Sequence, residues 1–470
     1  MADLKNKEFD VAIVGTGPGG YWAAVRAGEY GLSTVVIEKD EKVGGTCLLV
    51  GCIPTKSLLH NAEVLDTFRN AKELGVDIES FSPNWGQVQA RKDKIVTKHS
   101  KGIEYLFRKN KVELVKGTAK WAGPGRLEVT GAKGEKQEIK AKNIIFATGS
   151  TARMIPGLTA DDRILTNVEI LSLDKIPSKL VVIGAGAVGV EFASIYARFG
   201  TEVTILEMLP RVVPIEDEEI SKELEKALRK QKIQIHTGAK FERVERTGAG
   251  VKVHFTAADG KAQTIDADKL LVAVGRKPVT EGLGLEKSKV QFERGFIKTD
   301  EYMRTAEPNV YAIGDVVFGS PQLAHVASAE GLAAVGHIAG RKVTPIDYTR
   351  VPNATYCEPQ VASVGLTEAA LKQKGIKYKV GKFPFAGNSK ATILGSHEGF
   401  IKVLADDKDG TLLGIHMIGP LVTELVGEAT LALQLNASVD ELMETIHAHP
   451  TVYEAMLDAA NSVYGLAINF

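Results

Sequence analysis

Two cysteines five positions apart at a glycine-rich turn predict redox chemistry. Cys47 and Cys52 are separated by Leu-Leu-Val-Gly. The spacing is wrong for a zinc site, and no second pair of suitable ligands follows elsewhere in the sequence. A disulfide here would be strained, because five residues of regular helix rise about 7.5 Å, beyond the ~7 Å between Cα atoms that a bridge tolerates. A strained bridge is readily reduced, which suits catalysis better than stapling.

The neighbours of this pair fit the same chemistry. Gly51 can distort the helix enough to let the two sulfurs meet. Lys56 follows Cys52 by four positions, so on a helix it shares the face of that cysteine and favours a thiolate. The alternative is a pair of reduced thiols at the start of a helix, with no redox role.

The residues that must position these thiols belong to a repeated pattern. An apolar run, a glycine loop, a helical pattern and a second apolar run that ends in an acid occur twice, at a constant offset of 169 residues without a gap. Each copy contributes three glycines and one glutamate: Gly15, Gly17, Gly20 and Glu38, then Gly184, Gly186, Gly189 and Glu207.

Each copy predicts a βαβ unit that binds a dinucleotide. The first glycine makes a tight turn, the second lets the backbone approach a pyrophosphate, and the third lets the helix pack closely on the strand. The helix N-terminus offers N–H donors, and the acid accepts a hydrogen bond from a ribose 2′-OH. One such match could arise by chance and would be weak evidence, but two in the same context are strong evidence for dinucleotide binding. Two dinucleotide sites in one chain imply an enzyme that passes electrons between them.

Similar segments follow both units. A meander of short strands (Val112 to Ile139, then Ile233 to Ile265) precedes an apolar run that ends in glycine, at Gly149 and at Gly275. Each meander predicts an inserted antiparallel layer, and the apolar run after it predicts a return of the chain to the parallel sheet. After residue 349, strand-like runs and then helical patterns follow. The predicted fold is α/β, with two Rossmann-like dinucleotide-binding domains and a C-terminal α+β domain.

Composition excludes several classes of protein. The 470 residues carry 58 Lys+Arg and 58 Asp+Glu, so charge favours neither nucleic acid nor a membrane surface as a partner. No apolar run approaches ~18 residues, and the charged segment from Met1 to Asp10 lacks the features of a signal peptide. Three cysteines do not form a disulfide framework. We expect a soluble, cytoplasmic protein.

Motifs from residue 11 to residue 454 resemble the flavoprotein disulfide reductases, in the order of that family. Besides the two glycine loops and the cysteine segment, the matching motifs are Ala147–Ser150, Glu191, Gly275-Arg276, Tyr311–Asp315, Leu323–His325, Glu358-Pro359, Ser363–Thr367, and His447–Thr451 with Glu454.

The resemblance implies FAD at the first glycine loop and NAD at the second. The residues implied for FAD are Gly15, Gly17, Gly20, Glu38, Lys56, Thr148, Gly149, Asp315 and Ala324. Those implied for NAD are Gly184, Gly186, Gly189, Glu207 and Gly275. A carboxylate at Glu207 suits a free 2′-OH and repels the 2′-phosphate of NADP, although Arg211 four positions later slightly weakens this argument.

The resemblance also implies roles in catalysis. Cys47 is expected to be the interchange thiol that faces the substrate, and Cys52 the thiol against the flavin. Lys56 and Glu191 are expected to pair near the flavin. No metal site is predicted.

His449 is implied as the acid–base residue, oriented by Glu454. A histidine with a pKa near neutrality can hold the proton that thiol–disulfide exchange releases. In the family this histidine reaches the dithiol of the partner subunit, so a homodimer is expected. The implied reaction oxidises a dihydrolipoyl group to lipoyl disulfide and reduces NAD⁺. The expected partner is therefore the lipoyl-bearing component of a 2-oxo acid dehydrogenase or glycine cleavage complex.

Four domains follow from these assignments. Residues 1–150 would bind FAD, 151–278 would bind NAD, 279–348 would form a central domain that completes the FAD site, and 349–470 would form the dimerisation domain.

Other branches of the family, and one other class of protein, remain as alternatives. Glutathione and trypanothione reductases use NADP, which Glu207 opposes. Mercuric and high-molecular-weight thioredoxin reductases need further C-terminal cysteines or selenocysteine, and soluble transhydrogenases lack the dithiol. A redox-inactive scaffold subunit would need none of the catalytic residues.

Four positions depart from the usual family pattern: Leu49, Val279, Tyr453 and Cys357. Leu49 and Tyr453 put the positioning of the substrate in doubt. Cys357 is interpreted as a bystander thiol.

Overall fold

The computed structural model describes residues 7–469, in two compact units. The first unit contains residues up to 57, 87–153 and 276–348, and the second contains residues 58–86, 154–275 and those from 349 onward. Residues 1–6 and 470 lie outside the described part, and with them most of the charged N-terminal segment and the outer ends of two predicted domains. The division into four functional domains stays a prediction.

The strands, in chain order, are β1 Glu8–Val14, β2 Thr34–Glu38, β3 Glu113–Lys116, β4 Thr118–Gly123, β5 Arg126–Thr130, β6 Lys136–Phe146, β7 Ser150–Ala152, β8 Ile164–Leu165, β9 Lys179–Ile183, β10 Glu202–Leu206, β11 Gln234–His236, β12 Lys240–Arg246, β13 Val251–Thr256, β14 Ala262–Ala267, β15 Lys269–Val272, β16 Arg276–Pro278, β17 Phe292–Glu293, β18 Phe296–Ile297, β19 Val310–Ala312, β20 Asn353–Thr355, β21 Gln360–Gly365, β22 Tyr378–Pro384, β23 Phe400–Asp406 and β24 Leu412–Gly419.

The α-helices are α1 Pro18–Glu29, α2 Gly45–Val50, α3 Cys52–Arg69, α4 Trp85–Lys109, α5 Asn167–Ile170, α6 Ala187–Arg198, α7 Glu218–Lys230, α8 Ala324–Ile338, α9 Glu368–Lys374, α10 Ser389–Ile393, α11 Val422–Gln434, α12 Val439–Glu444 and α13 Glu454–Ser462. No helix within residues 7–469 is long and apolar enough to cross a membrane.

A parallel sheet forms the centre of the first unit. Its order is β3-β2-β1-β6, and β19 adds to β6 in parallel. The N-terminal half of β6 also pairs with β5 in the antiparallel meander, so one long strand makes the predicted return to the sheet. Alternate residues of β1 face opposite sides: Val11 and Ile13 pack with α1 and α8, while Ala12 and Val14 pack with the meander. Both faces of the sheet are therefore covered.

The second unit repeats this plan and adds another sheet. Its parallel sheet has the order β11-β10-β9-β15-β8, and the antiparallel meander β12-β13-β14 packs against it through Val251, Val253 and Phe255. The C-terminal part of the chain forms the antiparallel sheet β20-β21-β24-β23-β22, on which α11, α12 and α13 build a separate apolar core. These features confirm the predicted fold class.

One buried cation explains an acidic cluster in the second unit. Asp217, Glu219 and Glu368 have oxygen atoms close together, as in a metal site. The fully buried Nζ of Lys402 lies 2.7–2.9 Å from all three carboxylates. Burial lowers the pKa of Lys402, but its three carboxylate partners outweigh burial and raise the pKa above its ordinary value. The ammonium group therefore occupies the position that a metal would need.

Candidate active site

The first glycine of each loop lies where only glycine fits. Gly15 has φ +107° and Gly184 has φ +102°, both in the region that L side chains rarely adopt. A Cβ on Gly15 would overlap the carbonyl oxygen of Ala147, and one on Gly184 would overlap that of Ala273. Each amide also donates to the end of the next strand, to Ile37 O and Leu206 O respectively, both at 2.8 Å. The two loops therefore have the same construction.

The third glycine of each loop allows close packing, and the second leaves space. A Cβ on Gly20 would overlap Gly15 O, and one on Gly189 would overlap Gly184 O. By contrast, no described atom lies within 4 Å of a Cβ built on Gly17 or Gly186. These two residues precede α1 and α6, and within the described chain no side chain caps either helix N-terminus. Each loop thus offers an open cradle of N–H donors, which fits a pyrophosphate.

Glu38 and Glu207 are buried and hold equivalent hydrogen bonds. Glu38 accepts from the backbone N–H of Thr16 at 3.1 Å and of Asp40 at 2.9 Å. Glu207 accepts from Ala185 at 2.6 Å and Leu209 at 2.7 Å, the same positions at the offset of 169 residues. A carboxylate has about four lone-pair sites, so each can still accept from a ribose hydroxyl. The two carboxylates fix the loops and remain suited to the ribose.

Three segments of the first unit are joined by hydrogen bonds beside the first loop. Thr148 Oγ1 donates to Val279 O at 2.7 Å, and the amide of Val279 donates to Gly149 O at 2.9 Å. Ser150 donates its hydroxyl to Asp315. Arg276 Nε donates to Ser150 Oγ at 2.6 Å and lies 3.7 Å from the Asp315 carboxylate. These bonds join three segments that are distant in sequence.

The dithiol lies at a break between two helices. Helix α2 ends at Val50, Gly51 leaves helical geometry with φ −143° and ψ −118°, and α3 begins at Cys52. The expected distortion at Gly51 is therefore confirmed. Both cysteines are free thiols; Cys47 is half-buried and Cys52 is exposed.

The two thiols interact directly and unequally. A hydrogen bond with Cys52, followed by burial, raises the pKa of Cys47 well above that of an ordinary thiol, while Lys56 acts in the opposite direction. Cys47 therefore keeps its proton. Cys52 occupies the first position of α3, where the helix dipole stabilises a thiolate.

In the second unit, His449 forms a pair with Glu454. His449 is 71% exposed, and its Nδ1 lies 2.9 Å from Glu454 Oε1. Burial raises the pKa of Glu454, but hydrogen bonds from the Thr451 amide and from His449 outweigh it, so the pKa lies below its ordinary value. The carboxylate is therefore ionised at neutral pH and fixes the imidazole, which leaves Nε2 for proton transfer.

The chain matches the pyridine nucleotide-disulphide oxidoreductase family over residues 9–331 and the dimerisation domain of that family over residues 351–460. It is 44% identical to the dihydrolipoyl dehydrogenase of Bacillus subtilis (98% of this chain, 99% of the relative) and 43% identical to the mitochondrial one of Schizosaccharomyces pombe (99% and 92%). The chain belongs to this oxidoreductase family. Among solved structures, LpdA of Mycobacterium tuberculosis matches with a TM-score of 0.89 at 29% identity, over 96% of this chain and 98% of that one.

The oxidoreductase is therefore a flavoprotein that uses FAD and NAD and forms a homodimer through its C-terminal domain. The first unit contains all nine residues expected to bind FAD, with Ala324 at the start of α8. The second unit contains the NAD loop. The expected pairing of Lys56 with Glu191 joins residues of different units and stays a prediction. Glu191 is buried, and it accepts a hydrogen bond from the Tyr356 amide at 3.0 Å.

Three residues of the oxidoreductase received no role from sequence reasoning. The hydroxyl of Thr16 bonds to Glu38 and accepts from the Gly44 amide at 3.0 Å, so it connects the first loop to the start of the cysteine segment. Ser150 and Arg276 hold Asp315. Thr16 could have been found from its position inside the loop, and Ser150 and Arg276 lie in motifs that match the family, although those motifs do not show that the two residues meet at Asp315.

Cys357 fits its interpretation as a bystander. It is buried, its thiol donates to Pro359 O at 3.2 Å, and burial raises its pKa well above that of an ordinary thiol. A buried, protonated thiol is a poor nucleophile.

A pair of glycine substitutions tests the second loop. Gly186→Ala should leave folding intact and weaken NADH binding by about tenfold, equal to ~1.4 kcal/mol, because the methyl group stands where the pyrophosphate approaches. Gly189→Ala should also lower the stability of the second unit by about 1–3 kcal/mol, because its methyl group forces α6 away from Gly184 O. Calorimetric NADH titration and thermal unfolding measure both effects. If the Gly186→Ala variant binds NADH as tightly as the wild type does, the pyrophosphate does not lie at Gly186.

Proposed function

We propose that this oxidoreductase is a dihydrolipoyl dehydrogenase, which oxidises dihydrolipoyl groups to lipoyl disulfide and reduces NAD⁺ to NADH. The observation that carries this proposal is the pair Cys47/Cys52 at a helix break, in a chain with two dinucleotide loops. The relatives that bear this name match nearly the whole chain. A redox-inactive scaffold would not need the dithiol or the His449–Glu454 pair.

The thiols perform the first half of the reaction. With Cys47 and Cys52 joined as a disulfide, a lipoyl thiolate attacks Cys47 Sγ; the bond to Cys52 breaks, and Cys52 leaves as a thiolate. The second lipoyl thiol then attacks the mixed disulfide at the lipoyl sulfur. This forms lipoyl disulfide and returns Cys47 as a thiol. The raised pKa of Cys47 and the helix position of Cys52 support this division of roles.

His449 manages the protons of this exchange. Its Nε2 takes the proton from the attacking lipoyl thiol, and Glu454 stabilises the imidazolium through Nδ1. As the family resemblance implies, we assign this histidine to the dithiol of the partner subunit.

When bound, FAD would supply the electron-transfer chemistry that links the dithiol to NAD⁺. FAD would be held by residues of the first unit: the first loop, Glu38, the Thr148–Gly149 turn, Asp315, Lys56 and the N-terminus of α8 at Ala324. The second loop, Glu207 and Gly275 would hold NAD. Arg276 supports the FAD assignment. It is half-buried beside Asp315, and its charge also interacts with Cys52.

Choice of nucleotide tests the role of Glu207. NAD⁺ should exceed NADP⁺ by well over tenfold in kcat/KM, because placing a phosphate against a buried, hydrogen-bonded carboxylate costs at least about 1–3 kcal/mol. Glu207→Gln should narrow this ratio. Glu202→Gln, an exposed change on the strand that precedes Glu207, should leave this ratio unchanged. Equal use of both nucleotides by the wild-type enzyme contradicts the assignment.

The partner and location are part of the same proposal. A lipoyl-bearing component of a 2-oxo acid dehydrogenase or glycine cleavage complex would present the substrate to the homodimer. Few cysteines, and a pair whose disulfide would be readily reduced, support a cytoplasmic site of action.

A flavin spectrum tests the proposal within minutes. The purified protein should show visible flavin absorption, and dihydrolipoamide added without oxygen should change it while glutathione should not. A protein without flavin, or a flavin that does not respond to dihydrolipoamide, contradicts the proposal.

A further inference from the structure

A fully buried carboxylate lies directly behind the turn that carries Asp315. Glu330, in the second turn of α8, has no solvent exposure. Its Oε2 accepts from the Gly314 amide at 2.5 Å, and its Oε1 accepts from Ser320 Oγ at 2.6 Å and Tyr348 Oη at 2.7 Å. All of these residues belong to the first unit. In the described part of the chain, its hydrogen-bond partners carry no positive charge.

The polar groups around Glu330 suit a hydrogen-bond acceptor at the Gly314 amide. Burial raises the pKa of Glu330, the three hydrogen bonds oppose that shift, and the charge of Asp315 adds to it. Burial and Glu330 together raise the pKa of Tyr348, so the phenol stays protonated and donates. A glutamine can keep the Gly314 bond with its oxygen while its NH₂ group donates to the Ser320 and Tyr348 hydroxyls, because a hydroxyl accepts as well as donates. A side chain without a hydrogen-bond acceptor at this reach, such as leucine, loses the Gly314 bond.

The geometry of Gly314 shows what the carboxylate holds. Gly314 has φ +74°, and a Cβ on it would lie 3.0 Å from the Cβ of Ala327 on α8. The turn is thus pressed against the helix with its amide directed at Glu330. The next residue is Asp315, which receives the Ser150 hydroxyl and lies beside Arg276. Rotation of the Gly314 peptide would therefore move Asp315.

We propose that Glu330 is a positioning residue for FAD: its carboxylate fixes the Gly314 peptide so that Asp315 is held in the orientation the bound cofactor needs. The inference rests on the proposed function, in which Asp315 contacts FAD. It adds a residue that does not touch the cofactor but orients one that does.

The test uses the holoprotein and follows release of FAD by its fluorescence. Glu330→Leu, which has no acceptor, and Glu330→Asp, which is one methylene shorter, should each raise the rate constant of FAD release at least tenfold, and each should change the visible circular dichroism of the flavin that remains bound. Loss of packing alone would lower the melting temperature without altering that spectrum. The matched control is Glu307→Gln, which changes another buried glutamate of the first unit that accepts from a backbone amide. It should release FAD at the wild-type rate.

A double variant separates the Gly314 bond from the other two. Ser320→Ala/Tyr348→Phe removes both donors to Oε1 and leaves the Gly314 bond, so FAD release should stay within threefold of wild type. Tenfold faster release from this protein would overturn the inference, as would wild-type release and spectrum in both Glu330 variants. If neither Glu330 variant yields holoprotein, the double variant decides alone. A wild-type protein that binds no flavin would instead refute the proposed function.

Discussion

Replacing His449 with glutamine should lower the rate of dihydrolipoamide oxidation by about 10²–10⁴-fold, the usual contribution of a general base. Glutamine keeps the size of the side chain but cannot take up the thiol proton. FAD binding should be unchanged, and NADH should still reduce an artificial acceptor at the flavin, because that reaction needs no thiol proton transfer. Steady-state assays of both reactions on one preparation measure the difference. Equal loss of both activities would indicate general damage.

Mixed dimers test whether His449 acts across the subunit interface. A heterodimer of one His449→Gln chain and one Cys47→Ser chain contains one intact dithiol facing one intact histidine, so it should have one working site of the two. Each parent homodimer has none. The chains must be co-expressed, and the heterodimer must be confirmed by its mass. A confirmed heterodimer with no more activity than either parent contradicts catalysis in trans.

The cysteine variants should both lose dihydrolipoamide oxidation, but they should differ in colour. Cys47→Ser leaves Cys52 as a lone thiolate at the start of α3, beside the charges of Lys56 and Arg276, and should produce a long-wavelength absorption band with the flavin. Cys52→Ser leaves Cys47, whose burial favours the protonated thiol, and should produce no such band.

Absorption spectra of the two variants at neutral pH measure this difference. Cys357→Ser is the control, because this buried thiol should change neither the spectrum nor the activity. A band in Cys52→Ser and none in Cys47→Ser would mean that the two roles are exchanged.

The glycine loops and their acids were predictable because the rules that create them are local. A tight turn after a strand needs glycine, and the acid stands at the end of the second strand of the same βαβ unit. The sequence repeat is matched by a repeat in structure, because Glu38 and Glu207 accept hydrogen bonds from backbone amides at equivalent positions. The break at Gly51 also followed from a local argument, since a regular helix holds cysteines five residues apart too far from each other.

Contacts between distant segments could not be predicted in the same way. Ser150, Arg276 and Asp315 meet although more than 120 residues separate Ser150 from either partner. Glu330 appears in the sequence as one charge in an alanine-rich helix, and only the folded chain shows its three donors. The compact units are also discontinuous in sequence, because the chain leaves the first unit and returns to it twice. No pattern of neighbouring residues predicts where the chain returns to the first unit.

The central claim is that this chain oxidises a dihydrolipoyl dithiol with NAD⁺ as acceptor. One parallel assay tests it directly: dihydrolipoamide with NAD⁺ beside glutathione disulfide with NADPH, on the same purified protein. We predict rapid NADH formation in the first reaction and no NADPH consumption above background in the second. Turnover of glutathione disulfide with NADPH, without oxidation of dihydrolipoamide, would contradict the account.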